Sequence, residues 1–292
     1  MICRKLKGAN DLDECFVFRG SLIAFYINDL VLLNTSIDRL GRTSNYLFLL
    51  WVSFRRAVLE YAEKRDFDFV VAVQRTLNDS YIADMAKYAT PIETTRNMAV
   101  WDSIPAQLAK ENHKFQYKVI KSGARSKDYE AAMDWLNAAG MINKCVNVTE
   151  GNLPLKAYEQ PDIFKVYMVD TGLLCSKLDI AANVVLHTPH SFDGFKGALA
   201  ENYIMQALVV NGIKPYYWSS RGKAEVDFVF QDRRSNIIPL EAKSADNVRS
   251  RSLRSFTDIY KPIYSVRVSA KNFGFENNIK SIPLYAIGCL KV

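Results

Sequence analysis

The 292-residue chain is poor in the residues that build cross-linked or metal-capped domains. Its five cysteines, Cys3, Cys15, Cys145, Cys175 and Cys289, are odd in number, scattered and without a CxxC pair, and there are only three histidines. This argues against a disulfide framework and a zinc finger, and suits a reducing compartment. No apolar run approaches the roughly 20 residues of a bilayer-spanning helix. The stretches at 22–33 and 46–54 are too short or too interrupted, and read as buried core. No charged n-region with an apolar h-region and cleavage site opens the chain, so a secretory signal is not expected. Low-complexity segments and flexible linkers are missing as well. The expected location is the cytoplasm, with no membrane partner.

What is present is ordinary for a folded protein: 49% hydrophobic and 24% charged residues, enough chain for one large domain or two to three modest ones. A net charge of +7 and a pI near 9.0 tilt the balance towards a polyanionic partner.

Helical spacing covers 54–62 and 67–88, the second with Phe69, Val73, Leu77 and Tyr81 recurring every four residues and no Gly or Pro before Pro91. Ser103 is expected to cap a helix through Asn112, with Pro105 in its first turn. A short element at 117–122 follows, then a helix capped by Ser126 with Asp128 in its first turn and Gly140 at its left-handed end. Strands at 144–148 and 164–169 flank a Gly151-Asn152 turn. Three helices and a β-ribbon outline a winged helix. The last section changes rhythm. A helix at 195–210, strands at 215–218, 224–230 and 237–242, a helix at 249–260 and a strand at 263–268 give the order αβββαβ.

Chemistry concentrates in that section. Alternate side chains of a strand share a face, so Glu241 and Lys243 point one way. In the preceding strand, Val226, Phe228 and Phe230 are expected to form an apolar face, leaving Asp227 on the other. Pairing of the two strands as a hairpin brings Asp227 near Glu241 and Lys243. Glu201, on the helix before the sheet, is a candidate third carboxylate. Such a set suits Mg²⁺ or Mn²⁺, because a hard cation takes one or two carboxylates and keeps several waters. Asp227 and Glu241 are the expected metal ligands, with Lys243 beside the reacting phosphate and Glu201 as an outer carboxylate. Glu-x-Lys alone is usually a bland surface pair. Thirteen residues between Asp227 and Glu241, inside the αβββαβ order, make it more specific.

The strings GALAENYIMQAL, YYWSSRGKAEVDFVF and IIPLEAKSADN resemble the C-terminal domain of a prokaryotic family of AAA+-like P-loop ATPases. That domain is related to archaeal Holliday-junction resolvases and PD-(D/E)xK nucleases. AVWDSIPAQLAKENHKFQYKVIKSGARSKDYEAAMDWLNAAGMI resembles the family's winged-helix segment, and FKVYMVDTGLL its connector. The likeness runs from about residue 52 to the end. It implies that Glu201, Asp227, Glu241 and Lys243 fall on nuclease-like positions. A working ATPase of this type needs G-x-x-x-x-G-K-[ST]. Gly20-Ser21-Leu22 and Gly41-Arg42-Thr43 lack the second Gly and the Lys, so no ATP site is found. The expected division is a degenerate ATPase remnant with lid-like helices over 1–93, a winged helix over 94–170 and a restriction-endonuclease-like domain over 171–292. The fold class is α/β mixed, and the chain is expected to be an N-terminally truncated or degenerate member.

Lys110, Lys114, Lys118, Lys121, Arg125 and Lys127, interleaved with Phe115 and Tyr117, form a candidate phosphate-contacting surface, with a solvated basic face as the equal alternative. Arg249, Arg251 and Arg254 begin a helix near the proposed site, against the sense of the helix dipole. His187 and His190 read as incidental, and Trp101, Trp135 and Trp218 as core or interface residues and not as base-stacking platforms. The expected function is a metal-dependent, nuclease-like domain acting on or binding DNA. The alternative is a non-catalytic module for DNA, a protein partner or self-association, without ATP hydrolysis of its own.

Overall fold

The computed structural model describes residues 61, 63–64, 66–110, 114–180, 193–220, 224–243 and 251–290. The motifs at Gly20 and Gly41, most of the helix expected at 54–62, Asn112, His187, His190 and Arg249 lie outside these residues.

The first helix, α1 (Phe67–Tyr88), is capped by Asp66, whose carboxylate accepts the Asp68 N–H at 2.9 Å. Its buried positions are Val70, Gln74, Asn78 and Met85, one step from the stripe expected at 69, 73, 77 and 81; Phe69 is 43% exposed. On the shifted stripe, the Asn78 side-chain amide donates to the Leu173 carbonyl at 3.3 Å.

Helix α2 (Pro91–Leu108) starts thirteen residues earlier than a cap at Ser103 implies. Thr90 and Glu93 form a capping box there, and Pro91 fits the first turn. Ser103 is internal, its hydroxyl donating to the Val100 carbonyl, and Pro105 sits in the last turn. Helices α3 (Tyr117–Ile120) and α4 (Ser126–Ala138) follow, and Gly140 takes φ +69° as a helix terminator.

Eight strands form one sheet, in the order β2-β1-β3-β4-β5-β6-β8-β7. The ribbon β1 (Ile142–Val148) and β2 (Glu159–Met168) is antiparallel, and β1 pairs in parallel with β3 (Tyr216–Ser219). The ribbon is therefore the edge of the same sheet that carries β4 (Glu225–Gln231) and β5 (Ile237–Ala242). Between them in sequence run α5 (Thr171–Lys177) and α6 (Asp193–Val210); after β5 come α7 (Arg251–Tyr260) and β6 (Ser265–Ser269). The expected αβββαβ order is present. A hairpin of β7 (Gly274–Glu276) and β8 (Ile279–Pro283) extends it.

Two apolar clusters cover the two faces of the sheet. Tyr217, Phe228, Phe230, Ile238 and Leu240 join the larger one with α6, while Tyr216, Trp218, Val226 and Val229 pack with Leu253 and Phe256 of α7. Trp101 and Trp218 are fully buried and Trp135 packs against the larger cluster, as expected of core residues. Among the described residues no helix is long and apolar enough to cross a membrane.

Helix α6 is buried on nearly every side from Ala198 to Leu208, and its polar residues fasten the segment that leads into it. Asn202 accepts the Met168 N–H at 2.8 Å and donates to the Met168 carbonyl and the Thr171 hydroxyl. Gln206 accepts from the Thr171 N–H and hydroxyl and donates to Asp170, which caps α5 through the Leu173 N–H. Every one of these buried groups is matched, which fixes α6 against β2 and places Glu201 beside it.

Candidate functional site

The strand pairing Phe228↔Leu240, continued by one step, sets Asp227 opposite Glu241. The Asp227 carboxylate accepts the Ala242 N–H at 2.8 Å, tying it to the strand that carries Glu241. Glu241 is 3% exposed, and its Oε1 lies 2.9 Å from Lys243 Nζ, so the pair expected on one face does meet. The Lys243 N–H is held by the Val268 carbonyl of β6. Glu241 Oε2 is buried without a hydrogen-bond partner.

Strict alternation fails in β4. Its pairing with β3 shifts between Tyr216 and Trp218, and Val226 and Val229 both join the α7-side cluster while Phe228 and Phe230 join the other. A bulge of this kind re-aims the residues at it. Asp227 sits at that irregularity, where it feels both Glu241 on β5 and Glu201 on α6.

The structure also brings in residues that sequence reasoning passed over. Lys165, in the middle of β2, is 1% exposed. Its Nζ is 2.7 Å from Glu225 Oε1, 3.6 Å from Glu201 Oε2 and 5.2 Å from the centre of the Tyr217 ring. Tyr167, two residues on, donates its hydroxyl to Glu201 Oε2 at 2.8 Å. Lys114 reaches Glu225 at 4.0 Å. The available signal was a lysine inside the apolar run Phe164–Met168, since lysine is almost never buried unless paired.

Electrostatics follow from this crowding. Burial opposes the Lys165 ammonium, but Glu201, Glu225 and Asp227 outweigh it and hold its pKa above the ordinary lysine range. Burial first, then the Glu201 charge, pushes the Asp227 carboxyl up to about 8, against the pull of Lys165 and the Ala242 N–H. Burial also raises the Tyr167 phenol and the Cys145 thiol, so Tyr167 stays a donor and Cys145 is no nucleophile at neutral pH.

A pH dependence follows. A carboxyl whose folded pKa exceeds its unfolded value binds more protons when folded. Its stabilising contribution is complete below pH 4 and is lost as pH rises towards 8. Asp227→Asn should flatten that fall in urea-unfolding free energy across pH 4–8 in metal-free buffer. An unchanged slope would contradict the assignment.

Among the described residues, no three His, Cys, Asp or Glu side chains are gathered as a metal cluster. Two carboxylates nonetheless meet what Mg²⁺ asks of a protein, the other ligands being water and phosphate. The unpartnered Glu241 Oε2 and the raised Asp227 both fit a nearby cation.

Of the candidate nucleic-acid residues, Lys118, Lys121, Arg125 and Lys127 are exposed around α3 and α4, and Arg251 is exposed at the start of α7. Lys114 is half-buried beside Glu225, and Phe115 stacks on Phe164 at 5.5 Å. Those two are directed into the molecule.

Two family models match the chain: a domain of unknown function, DUF8612, over residues 48–183, and another, DUF4143, over residues 196–287. No curated protein and no solved structure matches it. Lys165 and Tyr167 lie in the first matched region and Glu201, Glu225, Asp227, Glu241 and Lys243 in the second, so the ion cluster spans both.

Proposed function

We propose that Asp227, Glu241 and Lys243 form a divalent-metal phosphodiesterase site acting on DNA. The observation that carries this is a buried Glu241 with one oxygen on Lys243 and the other unpartnered, next to Asp227 tied to the same strand. Asp227 and Glu241 would hold Mg²⁺ or Mn²⁺. When bound, the ion supplies a more acidic water and charge stabilisation at the phosphate. Lys243 Nζ, its side chain 34% exposed, would meet negative charge developing on a phosphate oxygen. Glu201, oriented by the Tyr167 hydroxyl and paired with Lys165, would accept a hydrogen bond from an incoming water.

We read residues 171–292 as restriction-endonuclease-like, supported by the αβββαβ order, and the helices and ribbon of 94–170 as a winged helix. The likeness of these segments to an AAA+-like ATPase family supports both. Cleavage of labelled branched, single-stranded and duplex DNA with Mg²⁺ or Mn²⁺ tests the proposal. Activity is expected in the wild type and absent in Asp227→Ala. Equal rates in the two would sink it.

A second reading is favoured by one feature: lysines already balance these carboxylates, Lys165 for Glu201 and Glu225, Lys243 for Glu241. On that reading the cluster is structural and the chain is a non-catalytic binding module. It predicts retention of DNA without cleavage in the same assay.

A further inference from the structure

On the α7 side of the sheet lies a groove of about 1120 Å³, walled by α7 and the β7–β8 hairpin. Five cations line it: Arg251, Arg254, Lys261, Arg267 and Lys271. Asp258 and Glu276 are the carboxylates among its lining residues, so the groove is net cationic. Among the described residues none of the five cations is ion-paired. Arg267 lies on the floor and its Nε is buried with no hydrogen-bond partner. An N–H buried without an acceptor is costly unless something supplies one.

The groove leads towards the site above. Arg267 is the register partner of Glu241 on one side and of Ser281 on the other. Parallel neighbours lie about 4.8 Å apart on one face of a sheet. The unpartnered Arg267 Nε and the unpartnered Glu241 Oε2 thus occupy adjacent strands.

The hairpin adds an aromatic wall. Phe275, 66% exposed, lines the groove, and Phe273 is 65% exposed. Asn277 and Asn278, both at positive φ, close β7 onto β8 in a two-residue turn. Asn suits that turn. Unpaired cations that track a backbone beside an exposed aromatic are the means by which proteins hold single strands: phosphates meet the cations and bases stack on the ring.

The geometry points to this groove as a binding site for single-stranded nucleic acid, laid along α7 with one phosphate at Arg267, next to Glu241. The choice of polymer rests on the nucleic-acid reading above; the site does not depend on cleavage.

The test is fluorescence anisotropy of the full chain with labelled dT20, rU20 and a 20-base-pair duplex, in EDTA so that nothing is cut, across a salt series. Arg254→Gln, Lys261→Gln, Lys271→Gln and Phe275→Ala all fall on exposed positions, and an unchanged urea midpoint checks their folding. Binding of dT20 or rU20 tighter than duplex is expected, and the two oligomers separate DNA from RNA. Each lost phosphate contact should reduce the slope of log K against log salt by about 0.7. Phe275→Ala should weaken binding at least about fivefold, the low end for one stacked base. Wild-type affinity in all four variants, or duplex bound as tightly as single strand, would overturn the assignment. So would losses in the charge variants with none in Phe275→Ala, which would mark a general polyanion surface. Cleavage by a wild type whose groove variants bind and cut normally would defeat this inference and leave the catalytic reading standing. Groove-dependent binding without cleavage would do the reverse.

Discussion

Lys165→Met is expected to lower the stability of the fold by about 3–5 kcal/mol, the range for removing one partner of a buried ion pair. The measurement is urea unfolding, read as a lower midpoint at unchanged slope. Among the described residues, Lys165 lies within 4 Å of both Glu201 and Glu225. Its side chain is 2% exposed and that of Glu201 11%, so water can replace little of what is lost. Met keeps most of the side-chain volume, which separates charge from packing. The double variant Lys165→Met, Glu201→Gln should recover part of the loss, because the stranded carboxylate is then neutral. Wild-type stability in the single variant would mean that Glu201 is neutralised by some other route.

The second large effect is expected at Glu241. Glu241→Gln should weaken Mn²⁺ binding by at least about 100-fold, since even partners outside the ligand shell cost 10–100-fold in affinity. The free-Mn²⁺ signal in electron paramagnetic resonance measures this without reference to cleavage. Gln fits the space of Glu, and Lys243, its side chain 34% exposed, stays hydrated when its partner is neutral, so the urea midpoint should hold. Undiminished Mn²⁺ binding would remove Glu241 from the ligand set.

The sequence carried much of this arrangement, and its failures have physical causes. The order α6, β3, β4, β5, α7, β6 was readable because each element has its own period and turn signals. The Glu241–Lys243 pair was readable because it depends on strand alternation alone. The bulge in β4 was not, because it is set by how β4 meets β3, not by β4's own residues. Lys165 was missed for a related reason: its carboxylates are 36 and 60 residues away in sequence and come from α6 and β4. The start of α2 was different. Thr90 and Glu93 spell a capping box in the sequence itself, and Ser103 with Pro105 was a weaker rival signal. The β7–β8 hairpin likewise had its Asn277-Asn278 turn in plain sight.

The central claim is that Asp227 and Glu241 act on one metal in one reaction. A double-mutant cycle on single-turnover DNA cleavage in Mg²⁺ tests it most directly, using Asp227→Asn, Glu241→Gln and their combination. Residues that act as a unit are strongly non-additive. The account predicts that each single variant loses at least about 10³-fold, equivalent to some 4 kcal/mol of transition-state stabilisation, and that the double variant loses no more. Losses that multiply, or a wild-type rate in either single variant, would contradict it.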